Sequence, residues 1–434
     1  MVPKSRFLQK PVYKVLACLS FVSLVFLVFL PVKSSAKEKA DCYDSSVPLT
    51  LEEQRITEGG PYAKDILQAS QFDQFVEKFE KQLCSAPNAK NAENIVNKYG
   101  SQIWKTAVAR AQGERPKMGK LDQYDDRPLY WARLSMTRAL RQWSPDFEIS
   151  DEHRQALIHQ LEYTSRGITS VQFPKGEGVQ RILVSGFDPY GFGTEYGARH
   201  SNPSGAIALQ LDGLRVQTEE GPAVVQAVNF PVRWEDFERG IVEDAFGPYL
   251  PQLDMMMTIS QGGPGDMEIE GYHGRWHVGT DNNGKWREGV IPTVSDWPMP
   301  KELPEFIETT LPAEAMVEAD TGPLPVKRDD HVCEWLAPDY KSEPYVCSDD
   351  GPAPNSQARA GGGGSYLSNE VGYRSNRLRL GFGADELPGG HLHVASLDYP
   401  EDPMAYIDEA LKQQRRAIVD QGVELVKVAA KAIE

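Results

Sequence analysis

Apolar positions in the first half of the chain recur at helical spacing. Between Ala63 and Leu83 they fall at Ile66, Leu67, Phe72, Phe75, Val76, Phe79 and Leu83, which predicts one amphipathic helix. Asn91–Gln112 repeats the pattern through Ile95, Val96, Tyr99, Ile103, Trp104 and Val108. Asp126–Trp143 follows with Tyr130, Trp131, Leu134, Leu140 and Trp143. Asp151–Thr164 closes the series, with Asp151 as its expected cap. Residues 37 to about 60 are polar and read as loop. Aromatic stripes at this spacing are core-facing rather than a cofactor box.

The texture changes after about residue 175. Arg181–Ser185, Ala223–Asn229 and Met255–Ile259 are short β-branched or apolar runs, and each reads as a strand. Ser204–Leu211 and Trp234–Tyr249 carry helical patterns between them, and Pro403–Ile433 is a long amphipathic helix at the end. Alternating strands and helices predict an α/β fold with a mostly parallel sheet flanked by helices. An all-helical N-terminal region, residues 37–175, precedes the α/β domain at 176–434. Residues 319–357, rich in Pro, Gly and Asp, interrupt the alternation as a surface insertion.

The first residues change where this chain is expected to work. Lys4, Arg6, Lys10 and Lys14 precede the apolar run Val15–Val32, and small residues follow at Ser34-Ser35-Ala36. That order predicts a signal peptide over residues 1–36, with a single membrane anchor as the competing reading. Cleavage implies a secreted or periplasmic protein with no stable membrane span. The whole chain of 434 residues carries a formal charge of −16, which argues against nucleic acid and anionic lipid as partners. Once Cys18 leaves with the signal segment, Cys42, Cys84, Cys333 and Cys347 remain. An even number in an exported chain predicts disulfides. Three connectivities are possible, and neighbour pairing puts one bridge in each region. No Cys-x-x-Cys or clustered Cys/His spacing points to zinc, and no metal or cofactor is expected.

Candidate chemistry falls at the ends of the predicted elements. Four glycines, Gly361–Gly364, run into Ser365-Tyr366-Leu367-Ser368-Asn369, where a short helix can open. A small polar residue there is placed to be an N-cap or a nucleophile. Gln261-Gly262-Gly263 follows a strand and leads to Glu268 and Glu270, and His393 sits in the strand-like Gly390–Val394. A hydroxyl, an imidazole and a carboxylate are the parts that acyl transfer requires. Residue types alone leave each with a plain structural role: Ser368 as a cap, His393 as a hydrogen-bonded strand residue and Glu270 as a solvated carboxylate.

Six motifs in order sharpen this. Gly186-Phe187-Asp188-Pro189-Tyr190-Gly191, then Ser201-Asn202-Pro203-Ser204, resembles Gly-Phe-acid-Pro-Phe-Gly and Asn-Pro-Ser of the pyroglutamyl peptidase I family. Gln261-Gly262-Gly263 resembles that family's Gly-Gln-Ala-Gly-Gly, and Asp281-Asn282-Asn283-Gly284 its Pro-Asp-Asn-x-Gly. Thr310-Leu311-Pro312 with Ala315-Met316 resembles Thr-Leu-Pro-x-x-Ala-Met. Tyr366-Leu367-Ser368-Asn369 resembles the nucleophile motif Tyr-Val-Cys-Asn, and Gly390-His391-Leu392-His393-Val394 resembles Gly-Phe-Ile-His-Val.

The resemblance covers about residues 179–400. It implies a peptidase removing N-terminal pyroglutamate from peptides, with Ser368 in the nucleophile's place, His393 as base and Glu270 as its orienting acid. Glu268 stays an alternative to Glu270. Phe187, Tyr190, Gln261 and Leu367 would bind the substrate, the aromatic rings stacking on the flat lactam. Two departures bear on the chemistry. The family's cysteine is Ser368, whose hydroxyl needs an aligned base where a thiol does not. The family's arginine falls near Val278, leaving Arg275 or His277 as substitutes. A catalytically silent binding protein with the same pocket is therefore the alternative function.

Overall fold

The seven-stranded sheet at the centre is built from the runs predicted as strands, joined at its edges by segments that were not. The computed structural model describes residues 42–433 apart from Glu177 and Glu343. The signal peptide expected over residues 1–36 lies outside the described residues. Helices α1 (Leu51–Glu58), α2 (Tyr62–Ser70), α3 (Asp73–Cys84), α4 (Ala89–Ala111), α5 (Arg127–Gln142) and α6 (Asp151–Ser165) come first. The sheet strands are β1 (Gln180–Phe187), β2 (Arg215–Thr218), β3 (Gly221–Phe230), β4 (Met255–Gln261), β5 (Met267–Glu270), β10 (Val326–Asp329) and β14 (Gly389–Val394). Their order is β10-β5-β14-β4-β1-β3-β2. β3, β1, β4 and β14 are mutually parallel, while β2 and β5 pair antiparallel to their inner neighbours.

Helices cover both faces because the inner strands are apolar on both sides. Ile182 and Val184 of β1 pack toward α7 (Pro203–Leu211) and α12 (Glu409–Ala432). Leu183 and Phe187 pack the other way, among α8 (Trp234–Glu238), α9 (Ile241–Phe246) and α11 (Leu367–Gly381). α10 (Ala313–Glu318) adds Met316 to the first face. Two antiparallel pairs, β6 (Tyr272–Gly274) with β9 (Phe306–Glu308) and β7 (Trp276–Thr280) with β8 (Trp286–Val290), lie outside the main sheet. β11 (Val332–Trp335), β12 (Val346–Ser348) and β13 (Gln357–Ala360) form a small sheet within and just beyond the predicted insertion. Disulfides join Cys42 to Cys84 and Cys333 to Cys347, the neighbour pairing. Among the described residues, no helix is long and apolar enough to cross a membrane.

Several expected boundaries are corrected by local backbone chemistry. The expected loop before residue 60 contains α1, because Thr50 and Glu53 form a reciprocal capping box at 3.2 and 3.0 Å. The single helix expected over Ala63–Leu83 is α2 and α3, broken where Gln71 takes a left-handed conformation, φ 62°. The apolar spacing runs through the break because both halves face one core. Ser150, not Asp151, caps α6, accepting from His153 N at 3.1 Å. Gly240, φ 92°, splits the helix expected at Trp234–Tyr249. α12 starts only after its Asp408 cap, later than Pro403. Part of the interrupting region also reaches the main sheet, since β10 pairs in parallel with β5 at its edge.

A buried polar seam joins the helical layer to the carboxyl ends of β1 and β3. Arg133 of α5 meets both Asp188 oxygens at 2.8 and 2.9 Å, and Arg166 reaches Oδ2 at 2.7 Å. Asn202 donates to Asp188 O at 2.9 Å, and Asp126 accepts from Asn202 N at 3.0 Å. Asn282 bridges Pro189 O and Glu52 of α1, each at 3.0 Å. Asp188 is 1% exposed, so removing it leaves the buried Arg133 without a carboxylate partner and Arg166 with Glu162 alone. Asp188→Ala is expected to lower the unfolding free energy by about 3–5 kcal/mol. Urea denaturation reads this as a lower midpoint with the slope kept. A midpoint equal to the parent's would show that the seam contributes nothing to stability.

Candidate active site

α11 begins at Leu367, separated from the glycine run by Ser365 and Tyr366, and the run's neighbours shape it. Gly361 and Gly364 exchange backbone hydrogen bonds of 3.0 and 3.1 Å. Gly363 lies at φ 70°, and a Cβ there would stand 2.0 Å from His393 Cε1 and 2.7 Å from Glu270 Oε1. Both conformation and space therefore require glycine. Asn369 fixes the start of the helix: Oδ1 accepts from Gly274 N at 2.8 Å, and Nδ2 donates to Gly274 O and Trp276 O, each at 2.9 Å. Ser368 is the second helical residue and not the cap, since Tyr366 occupies that position. Glu370 N bonds back to Tyr366 O at 3.1 Å. The N–H groups of the three residues before it belong to the helix's unpaired, electropositive first turn.

Ser368 lines a small cavity, about 50 Å³ for the centres of water-sized spheres. Phe187 and Tyr190 from the end of β1, Ser260 and Gln261 from the end of β4, and Leu367 share it with Asn202, Val232 and Tyr366. None of these side chains is charged at neutral pH. The cavity sits at the carboxyl ends of parallel strands, where open α/β sheets hold their ligands. Every residue expected to bind substrate is in its wall. Sequence reasoning missed Ser260, Asn202, Val232 and Tyr366, although three of the four stand inside or beside the motifs quoted for their neighbours.

His393 and Glu270 come together across β14 and β5. His393 Nδ1 bonds to Glu270 Oε1, and both residues are buried. Glu268, the alternative, pairs with Lys327 of β10 at 3.0 Å. Burial opposes charge on His393, but the Glu270 carboxylate outweighs it and holds the imidazole above its ordinary 6.5. Burial pushes Glu270 above its ordinary 4.5, and attraction to His393 offsets this only in part. Ser368 Oγ makes no hydrogen bond to His393 among the described residues, whose imidazole is bonded to Glu270. Neither substitute for the family's arginine is free: Arg275 pairs with Glu305 at 3.4 Å, and His277 Nδ1 with Glu370 at 2.5 Å. Glu268, Glu270 and His393 offer ligand atoms within 4.8 Å of one another, a spacing that can hold a metal ion. The Lys327 ammonium already occupies Glu268 there.

Fold and site together define an α/β protein with a buried imidazole–carboxylate couple against the glycine run and a pocket hydroxyl in the helix that follows that run. Residues 34–162 match the family model described as the PA0049 N-terminal domain, and residues 181–298 and 327–398 match the PA0049 C-terminal domain. The uncharacterized protein PA0049 of Pseudomonas aeruginosa is 31% identical, over 77% of this chain and 76% of that protein. The chain belongs to the PA0049 family. Among solved structures it is similar to pyroglutamyl peptidase I of Bacillus amyloliquefaciens at 18% identity and TM-score 0.37, covering 58% of this chain and 96% of that one. Pyrrolidone carboxyl peptidase of Thermococcus litoralis aligns at 18% identity and TM-score 0.35, covering 58% of this chain and 93% of that one.

The couple makes a measurable statement about charge. Side-chain NMR is expected to show His393 titrating above 6.5, and Glu270→Gln is expected to lower it because burial is then opposed only by the Glu268 and Asp329 carboxylates. An unchanged His393 titration in Glu270→Gln would remove the carboxylate as the cause.

Proposed function

We propose that this chain is an exported hydrolase that removes N-terminal pyroglutamate, or a closely related cyclic group, from peptides. One observation carries the reading. The His393–Glu270 couple is held against the glycine run that delivers Ser368 to a small uncharged cavity walled by Phe187 and Tyr190. The six sequence motifs, three of which supply Phe187 and Tyr190, Ser368 and His393, point to the same chemistry. The helical region over residues 37–175 would brace the α/β domain at 176–434, and the signal segment with two disulfides supports export.

In this reading Ser368 Oγ attacks the carbonyl of the pyroglutamyl group while His393 Nε2 takes its proton. The C–N bond then breaks as His393 gives the proton to the leaving amine. Water hydrolyses the resulting ester with His393 again as base, releasing pyroglutamate and restoring Ser368. Glu270 orients the imidazole and stabilises its charged form. Backbone N–H groups at the start of α11 would receive the oxyanion. The missing Ser368–His393 hydrogen bond is compatible with this, because catalytic contacts often tighten only with substrate bound.

A second reading has its own support. The absent bond and the valine at the arginine position favour a binding protein that holds capped peptides without cleaving them. The two separate in one experiment on the mature protein with pyroglutamyl-amide substrates. A hydrolase loses about 10³-fold or more of its turnover in Ser368→Ala. Ser368→Cys is expected to retain or raise turnover, since a thiol at a helix start ionises readily. Turnover unaffected by Ser368→Ala removes the mechanism. Tight binding with no turnover and no fluorophosphonate labelling of Ser368 selects the binding protein.

The pH dependence has a definite sign. Neutral His393 is the working base, so kcat/KM should rise with pH through a value above 6.5. Glu270→Gln should move that limb to lower pH while reducing the plateau. A limb that stays in place would dissociate Glu270 from the base.

A further inference from the structure

A second imidazole lies beside the first, with different partners. β4 and β14 pair His391 with Thr258 and His393 with Ser260. Alternate strand residues share a face, so all four side chains project to the same side of the sheet. His391 makes two bonds of 2.7 Å, from Nδ1 to Thr258 Oγ1 and from Nε2 to Ser260 Oγ. The Thr258 hydroxyl also donates to Gly390 O at 3.3 Å. A hydroxyl has one proton, and all three contacts are used when Thr258 gives it to Gly390 O and accepts from Nδ1, the arrangement in which Nδ1 carries the imidazole hydrogen. Nε2 of the neutral ring is then the acceptor, and the proton of Ser260 points at it. This network assigns the tautomer.

His391 cannot be a working base in this setting. Burial holds it well below 6.5, helped by the neighbouring His393 and His273. Its ring centroid lies 4.7 Å from that of His393. Both of its bonded partners are hydroxyls, so an imidazolium here would be buried without a counter-charge. The couple is a fixed neutral one.

That constraint reaches the cavity through Ser260. Its only proton is committed inward, so toward anything in the cavity its Oγ can only accept. Gln261 beside it donates from Nε2 to Tyr190 OH at 3.1 Å, while its Oε1 is occluded from solvent and has no partner. Two adjacent cavity residues thus offer acceptors that need donors. In the motifs resembled, glycine stands where this chain has Ser260 and phenylalanine where it has His391. The two departures meet in one hydrogen bond.

We propose that Ser260 Oγ, held as an acceptor by His391 and Thr258, forms with Gln261 Oε1 a subsite that demands N–H donors. The subsite selects a small neutral cyclic amide and rejects an isostere in which oxygen replaces the ring N–H. The proposal deepens the functional reading and rests on the cavity being the site where the substrate's cyclic group binds. Unpaired buried acceptors make such sites discriminate strongly.

The test uses the full mature chain carrying Ser368→Ala and two matched pairs of probes. One pair is pyroglutamyl amide and its lactone analogue, the other 2-pyrrolidinone and γ-butyrolactone. Calorimetry should show each N–H probe binding at least about tenfold tighter than its oxygen partner. Adding Ser260→Ala, or the volume-conserving His391→Phe, should collapse that ratio toward unity in a folded protein. Equal affinities within each pair, or no binding of either N–H probe, overturns the proposal. Preference for pyrrolidinone without any pyroglutamyl-amide turnover by the parent leaves the subsite standing and removes the hydrolase reading. A ligand-free readout is independent of both. Histidine ¹⁵N spectra near neutral pH should show His391 as the neutral Nδ1–H tautomer, and an Nε2–H tautomer or an imidazolium overturns the proposal.

Discussion

A carboxylate buried between two guanidiniums ties the helical layer to the sheet where the cavity forms. Asp188 follows Phe187 at the end of β1 and precedes Tyr190 by two residues, so two of the cavity's three aromatic residues flank it. Its partners Arg133 and Arg166 come from the helical half of the chain. Taking three such groups out of water is costly, and their mutual contacts offset it together with Glu162 on Arg166 and Ser165 on Arg133. Each group therefore depends on the others, and so do the surfaces that carry them. Asn202, Asn282, Glu52 and Asp126 extend the arrangement with further buried hydrogen bonds around the same loops. The helical layer is in this sense part of the frame of the site, although it contributes no side chain to the cavity wall.

Two imidazoles one alternation apart on β14 then take different characters from their partners alone. His393 touches a carboxylate and is held toward its charged form. His391 touches two hydroxyls and is held neutral. Environments that push paired titratable groups apart in pKa also divide their roles. One ring is suited to moving a proton, the other to fixing the direction of a hydroxyl. The glycine run makes the first possible by bringing backbone against the His393 ring with no side chain between.

Much of this was legible from pattern. Helix existence followed from apolar spacing, and the inner strands from short β-branched runs. Breaks did not, because α2 and α3 present one continuous apolar face and the left-handed Gln71 leaves no trace in hydropathy. β10 was missed because Lys327, Arg328 and Asp329 do not look like strand residues. At the sheet edge Lys327 finds Asp266 and Glu268, and Arg328 finds Glu308 and Asp330. The choice between Glu270 and Glu268 was likewise beyond pattern. Alternation places both on one face, and the distant Lys327 neutralises one of them.

By itself the sequence determined which residues stand at the ends of the inner strands and at the start of α11. Local spacing, small residues and motif order are properties of the chain, and they brought Phe187, Tyr190, Gln261, Ser368 and His393 into view. Tertiary structure decided how those residues are paired and charged. Ser368 reached the cavity wall without a bond to His393, Glu270 took the imidazole, and Ser260 was turned into a fixed acceptor by His391. Hydrogen-bond direction and charge in a buried site depend on every neighbour within a few ångströms. Those neighbours come from strands and loops far apart in the chain, where periodicity carries no information.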